Sequence, residues 1–168
     1  MTDNKQQAFT EAIYHLSKAI DSQRPIIVND GWEHTVSDII SLHDYEEFAD
    51  AFIARYQDKD RILNNLHPHN KSKYAFAQGY EYKGQPVILT EYGGIAFNDN
   101  RGWGGYGNQV NSEDEFIRRY REITNAIKEI PYICGYCYTQ ITDVQQEVNG
   151  LLYENREPKV HGKIKRSK

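Results

Sequence analysis

Apolar positions recur along this chain with two periods. From Lys5 to Asp21, the residues Phe9, Ala12, Ile13, Leu16, Ala19 and Ile20 fall on one face at helical spacing, which predicts an amphipathic helix. Arg24-Pro25 ends it, because the residue before a proline is driven out of the helical region. Pro25-Ile26-Ile27-Val28 then reads as a first strand running into Asn29-Asp30-Gly31-Trp32-Glu33, and Asp38-Ile39-Ile40-Ser41-Leu42 as a second running into His43-Asp44-Tyr45. Residues 30 to 37 are too few for a full crossover helix, so this unit departs from a regular βα repeat. Helical spacing returns from Tyr45 to Asp58, with Phe48, Ala51, Phe52 and Tyr56 on the apolar side. The stretch from Arg61 to Tyr82 is broken by Asn64-Asn65, Pro68 and Gly79, and is expected to be a long loop with one short helix.

The most sharply bounded stretch follows. Val87-Ile88-Leu89-Thr90 after Pro86 has the continuous apolar character of a strand buried on both faces, and it stops at Glu91 before Tyr92-Gly93-Gly94. A carboxylate at the last step of a buried parallel strand stands where a core meets a cleft, the place from which catalytic side chains emerge in α/β enzymes. The plainer reading is a solvated turn glutamate. A glycine-rich loop spans 95 to 111 with Trp103 and Tyr106, and Ser112-Glu113-Asp114-Glu115 is a capping box opening a helix with Phe116, Tyr120, Ile123 and Ile127 on one face. Pro131 stops that helix. A fourth strand, Tyr132 to Tyr138, runs into Thr139-Gln140. Strands separated by helices argue for a parallel sheet of α/β class. Its strand ends would gather Asn29, Asp30 and Trp32; His43, Asp44 and Tyr45; Glu91 and Tyr92; and Tyr138 and Gln140 on one rim. Hydrogen-bonding side chains mixed with Trp and Tyr rings suit a carbohydrate, although with 13 tyrosines many of the rings are core or surface fillers.

Composition narrows the classes. The 168 residues match one domain with a core of its own, taken here as residues 1 to 160 with a basic tail at 161 to 168 (Lys163, Lys165, Arg166, Lys168). A net charge of −4 without a basic stripe argues against nucleic acid. No apolar run approaches the roughly 18 residues of a membrane span. Met1 to Gln7 is polar and runs into the first helix, unlike a signal peptide. The expectation is a cytoplasmic, reduced protein with no membrane partner and no meaning for the sequon Asn70-Lys71-Ser72.

Three other chemistries are weighed and set aside. Cys134 and Cys137 have redox spacing but sit in a predicted strand rather than at the helix N-terminus that lowers a thiol pKa. His34, His43, His67 and His69 could ligate a metal with Asp44, yet His67-Pro68-His69 fits no zinc pattern, and no metal or other cofactor is expected. Gly102-Trp103-Gly104-Gly105-Tyr106-Gly107 lacks the strand-turn-helix setting and the Lys-Ser/Thr ending of a phosphate loop.

Several pieces together carry a resemblance. These are Thr90-Glu91-Tyr92-Gly93 at a strand end, Arg24-Pro25 before a strand, His43-Asp44-Tyr45 at another strand end, and the segment from Gly135-Tyr136-Cys137-Tyr138 through Asp143 to Asn149-Gly150-Leu151-Leu152 and Pro158-Lys159. In these the chain resembles the C-terminal half of the catalytic barrel of glycoside hydrolase family 2, which holds β-galactosidases and β-glucuronidases. The resemblance implies a partial (β/α)8 TIM barrel of about four parallel strands, its fifth to eighth. It implies Glu91 as the nucleophile of a retaining β-glycosidase. Tyr138 would line the sugar subsite, with Asn29, Asp30, Trp32, His43, Asp44, Tyr45, Trp103 and Gln140 as further substrate contacts.

The departures matter as much. The family's acid/base glutamate follows an Asn at the end of the strand before the first helix, and this sequence has no such pair there. The uronate-reading Asn-x-Lys-Gly pattern falls on Glu147-Val148-Asn149-Gly150 without its Lys, against a glucuronidase. Asp44, Glu33 or Asp143 could substitute as acid, but no spacing favours them. Two readings therefore stand: the nucleophile-bearing piece of a glycosidase, or a non-catalytic relic or subunit with weak sugar binding. Four strands cannot close a barrel. Open edges at Pro25–Val28 and Tyr132–Tyr138, with Ile26, Val28, Ile39 and Val87 short of partners, predict a homodimer or a complementing half-barrel chain.

Overall fold

The computed structural model describes residues 4–98 and 103–161. Its elements are α1 (Asn4–Ile20), β1 (Ile40–Asp44), α2 (Ala49–Tyr56), α3 (Lys59–Leu63), β2 (Val87–Gly93), α4 (Glu113–Glu129) and β3 (Ile133–Thr139). The strands form one parallel sheet in the order β1-β2-β3, with helices in the connections as the alternation requires. The basic tail, His161 apart, lies outside the described residues. Among the described residues, no helix is long and apolar enough to cross a membrane.

The expectation of four strands is corrected to three. Pro25–Val28 is irregular, and a side chain explains why. The Ile26 N–H donates to Asp38 Oδ2 at 2.8 Å, while the Ile26 carbonyl accepts from the Asp38 N–H at 3.0 Å. A carboxylate thus takes the place of a ladder partner, and the segment needs no regular strand geometry. Nor is Val87 left short of partners: it is buried.

The chain divides into two compact units. The first comprises 1–44, 54–91 and 130–137, and buries Ile40, Leu42, Tyr56, Ile62, Leu63, Phe76, Val87 and Leu89. The predicted loop from Arg61 to Tyr82 crosses it with only the end of α3 as a helix. It is tied down by a bridge between His34 and Phe76, and by Asn65, whose amide donates to the Phe76 carbonyl and accepts from the Phe76 N–H. Helix α1 belongs to this unit but buries no residue.

The second unit comprises 45–53, 92–129 and 138–168. Its core gathers Ile95, Val110 and Phe116, with Phe97, Tyr120, Tyr138, Leu151 and Val160 packed against them. The capping box opens α4 with a one-residue shift. Ser112 Oγ accepts from the Glu115 N–H at 3.2 Å, while the Glu115 carboxylate accepts from the Asn111 N–H at 2.6 Å. Arg119, buried on α4, donates to the carbonyls of Tyr106 and Asn108 and so fixes the end of the glycine-rich loop.

Candidate active site

Strand β2 carries Thr90 and Glu91 and, unlike the sequence expectation of a stop at Glu91, runs on through buried Tyr92 to Gly93, while β1 carries His43 one residue before its end. In the first unit these meet Asp30 from the irregular segment before β1. His43 Nδ1 lies 3.3 Å from Glu91 Oε2, and its Nε2 lies 3.1 Å from Asp30 Oδ2. The imidazole is therefore held edge-on between two carboxylates. Its side chain is 10% exposed, against 37% for Glu91 and 49% for Asp30, so the acids open to solvent and the ring forms the floor. Gly31 makes this possible. It has φ +92°, and a Cβ there would lie 2.6 Å from His43 Cγ, so only glycine lets the ring lie this close.

Asp30 is fixed by more than His43. Thr90 Oγ1 donates to its Oδ1 at 2.8 Å. Burial by itself would raise its carboxyl, but the Ser41 and Thr90 hydroxyls and the imidazole of His43 alongside, whose Nε2 is near Asp30 without hydrogen-bond geometry, outweigh that and hold it below the usual carboxylate range. Asp30 is accordingly ionised at neutral pH and is no general acid.

Behind the floor lie two more imidazoles. His34 Nε2 is 2.6 Å from the Ser41 carbonyl and His69 Nε2 is 2.9 Å from the Gly31 carbonyl, and the Nδ1 of each is buried without a hydrogen-bond partner. Burial lowers both pKa values, that of His69 to about 4, so both rings are neutral donors that brace the Gly31 and Ser41 backbone. The metal grouping weighed from the sequence is thus not assembled: His34 and His69 hold backbone carbonyls, and Asp44 pairs with Arg55. Asp30, His43 and Glu91 do offer ligand atoms within 4.8 Å of one another.

Of the residues expected to contact substrate, the first unit brings together Glu91, Asp30, His43 and Trp32. The Trp32 indole meets the His43 ring edge-on at 5.3 Å, and Asn29 donates to the Trp32 carbonyl and shapes the turn. Asp44 is buried in its ion pair with Arg55. Glu33 is buried and turned by a positive φ of 51°, and Asp143 is buried against Lys159 at 2.6 Å; neither stands as an open acid.

In the second unit, Tyr45 stacks on Tyr106 at 3.5 Å, and Tyr106 meets Trp103 edge-on at 4.8 Å. Tyr138 is half-buried against Tyr92 and Tyr120, its hydroxyl accepts from the Ile95 N–H at 3.1 Å, and burial raises its pKa. Gln140 donates to Asn149 Oδ1 at 2.9 Å. Thr90 and Ser41 escaped the sequence reading, since an alternating Ser or Thr in a strand carries no local signal of what it faces. Tyr106 had one, as an aromatic in a glycine-rich loop.

Comparison with known proteins adds the fold. No known family matches the sequence, and no curated protein does. Among solved structures, the chain is similar to a glycoside hydrolase family 2 β-galacturonidase from Eisenbergiella tayi, with TM-score 0.64 and 18% identity over 93% of this chain and 28% of that one. It is similar to a β-glucuronidase from Bifidobacterium dentium, with TM-score 0.61 and 19% identity over 94% of this chain and 26% of that one. It is also similar to a β-glucuronidase from Ruminococcus gnavus, with TM-score 0.62 and 14% identity over 94% and 28%. At these identities the likeness is one of fold, and the chain spans about a quarter of the length of the solved structures it matches.

Proposed function

We propose that this chain is the nucleophile-bearing part of a retaining β-glycosidase, built as a segment of a (β/α)8 barrel. The observation that carries the reading is Glu91 in the C-terminal half of β2, partly open to solvent, with His43 Nδ1 3.3 Å from its Oε2. Glu91 attacks the anomeric carbon, and the bond to the leaving oxygen breaks as the glycosyl ester forms; water later hydrolyses that ester. His43 orients the Glu91 carboxylate, and Asp30 orients His43. The leaving oxygen needs a proton, worth typically about 10²–10⁴-fold. Asp30 is ionised, while Asp44 and Asp143 are committed to ion pairs. The acid therefore comes from another polypeptide segment, either a complementing half-barrel or a second copy.

The solved structures of similar fold include proteins with coumarin-3-O-glucuronide, D-glucuronic acid and galacturonate. Asn149-Gly150 without the uronate-reading Lys favours a neutral sugar here, so galactosides, glucuronides and galacturonides belong side by side in the test. Fluorinated glycosides with a dinitrophenolate leaving group need no acid, and mass spectrometry of the treated chain should find the sugar on Glu91. Glu91→Gln should abolish the label and leave the fold unchanged. Labelling at Asp30 or Asp44 would sink the assignment. Among the described residues, the carboxyl held near Glu91 by His43, that of Asp30, is ionised, which supports a second reading, a sugar-binding subunit without catalysis. It predicts no label but a sugar-dependent rise in melting temperature.

A further inference from the structure

Helix α1 turns its polar side to the protein and its apolar side away. On the inner side, Thr10 Oγ1 lies 2.8 Å from Thr35 Oγ1, and the Tyr80 hydroxyl donates to Glu11 Oε1 at 2.9 Å. The Tyr14 hydroxyl donates to Asp38 Oδ1 at 2.7 Å, and Lys18 Nζ pairs with Asp38 Oδ2 at 2.6 Å. Thus Thr10, Glu11, Tyr14 and Lys18 bolt one face down. Phe9, Ile13, Leu16 and Ile20 lie roughly half a turn away by the 3.6-residue repeat. They are 65%, 38%, 57% and 80% exposed. A helix meant for solvent would not carry this stripe.

The stripe has the alternating spacing of a helix–helix seam, four, three and four residues apart. We propose that α1 is a self-association surface, two copies pairing antiparallel through this seam about a two-fold axis between Ile13 and Leu16. Phe9 of one copy then layers on Ile20 of the other, and Ile13 on Leu16. The spacing reads the same from either end, which is the self-complementarity a two-fold interface demands. Antiparallel pairing also sets the helix dipoles head to tail. Ala8, Ala12 and Ala19 beside the seam are exposed and small, so the second helix approaches closely.

The area fits a weak dimer. The stripe offers roughly 400–500 Å² per copy, in the range where an apolar patch marks an interaction site. Two copies remove roughly 800–1,000 Å², which reaches only the bottom of the range for a specific interface and fits a weak, concentration-dependent one. A lipid surface is the poorer occupant, because an interfacial helix carries a cationic polar face, and here Lys18 is committed to Asp38. The proposal rests on α1 alone and stands or falls independently of Glu91.

Sedimentation velocity of the full chain across a dilution series is the test. A reversible monomer–dimer equilibrium is expected. Leu16→Glu should weaken it by roughly 100-fold or more, the effect of burying an unpaired carboxylate. Ile13→Leu, which keeps the seam, should dimerise like the wild type. Ile20→Lys provides a second disruption at the most exposed position, where folding is not at stake; circular dichroism checks both disrupted variants. A chain that is monomeric at every concentration, or a dimer that both disruptions leave intact, overturns the proposal. So does a monomer that sediments with phosphatidylcholine–phosphatidylglycerol vesicles through the same residues.

Discussion

Acid should unfold this protein through His69, and the size of the effect can be worked out. His69 donates from Nε2 to the Gly31 carbonyl, and its buried Nδ1 has no hydrogen-bond partner. Protonation would put a charged N–H at Nδ1 with no acceptor. Burial, with His34, His43 and Arg55 adding repulsion, lowers the pKa from 6.5 to about 4, despite the opposing carbonyl. A base whose folded pKa is depressed binds its proton more readily when unfolded. Stability is therefore full above the unfolded value and is lost as pH falls from 6.5 towards 4. At about 1.36 kcal/mol per pKa unit, moving from pH 7 to pH 5 costs about 2 kcal/mol from this one residue. His69→Gln keeps an N–H able to reach the Gly31 carbonyl but does not titrate. Urea unfolding at both pH values, wild type against variant, isolates the term, since carboxylates such as Asp30 and Asp38 contribute equally to both proteins. The wild type should lose about 2 kcal/mol more than the variant. Equal losses would refute a neutral, buried His69.

Other perturbations read other parts of the structure. Gly93 has φ +91°, and a Cβ there would lie 2.2 Å from a Tyr138 ring carbon. Gly93→Ala should cost roughly 2–4 kcal/mol from backbone strain and overpacking together, seen as a lowered thermal midpoint. Lys159 is buried against Asp143 and also donates to the Val148 carbonyl at 2.7 Å. Lys159→Met should cost roughly 3–5 kcal/mol in urea unfolding by stranding the carboxylate, and adding Asp143→Asn should restore part of it.

Local order along the chain was legible in the sequence, and so was the carboxylate that the functional proposal turns on. Helical and apolar periods placed α1, α2, α4 and the three strands, because a buried face must repeat with the period of its element. The Ser112 box marked the start of α4 for the same local reason. Glu91 stood out as the first carboxylate after an apolar run, although the strand itself continues past it through buried Tyr92 to Gly93. Tertiary structure decided the rest. Pro25–Val28 has the composition of a strand, yet Asp38 satisfies its backbone from a side chain, a long-range choice no propensity contains. The apolar stripe of α1 was legible, but the direction it faces was set by Asp38, Thr35 and Tyr80, far away in the chain. The three histidines looked alike in sequence. Only packing turned His34 and His69 into neutral braces and left His43 between two carboxylates, because burial and partners, not residue type, fix what an imidazole does.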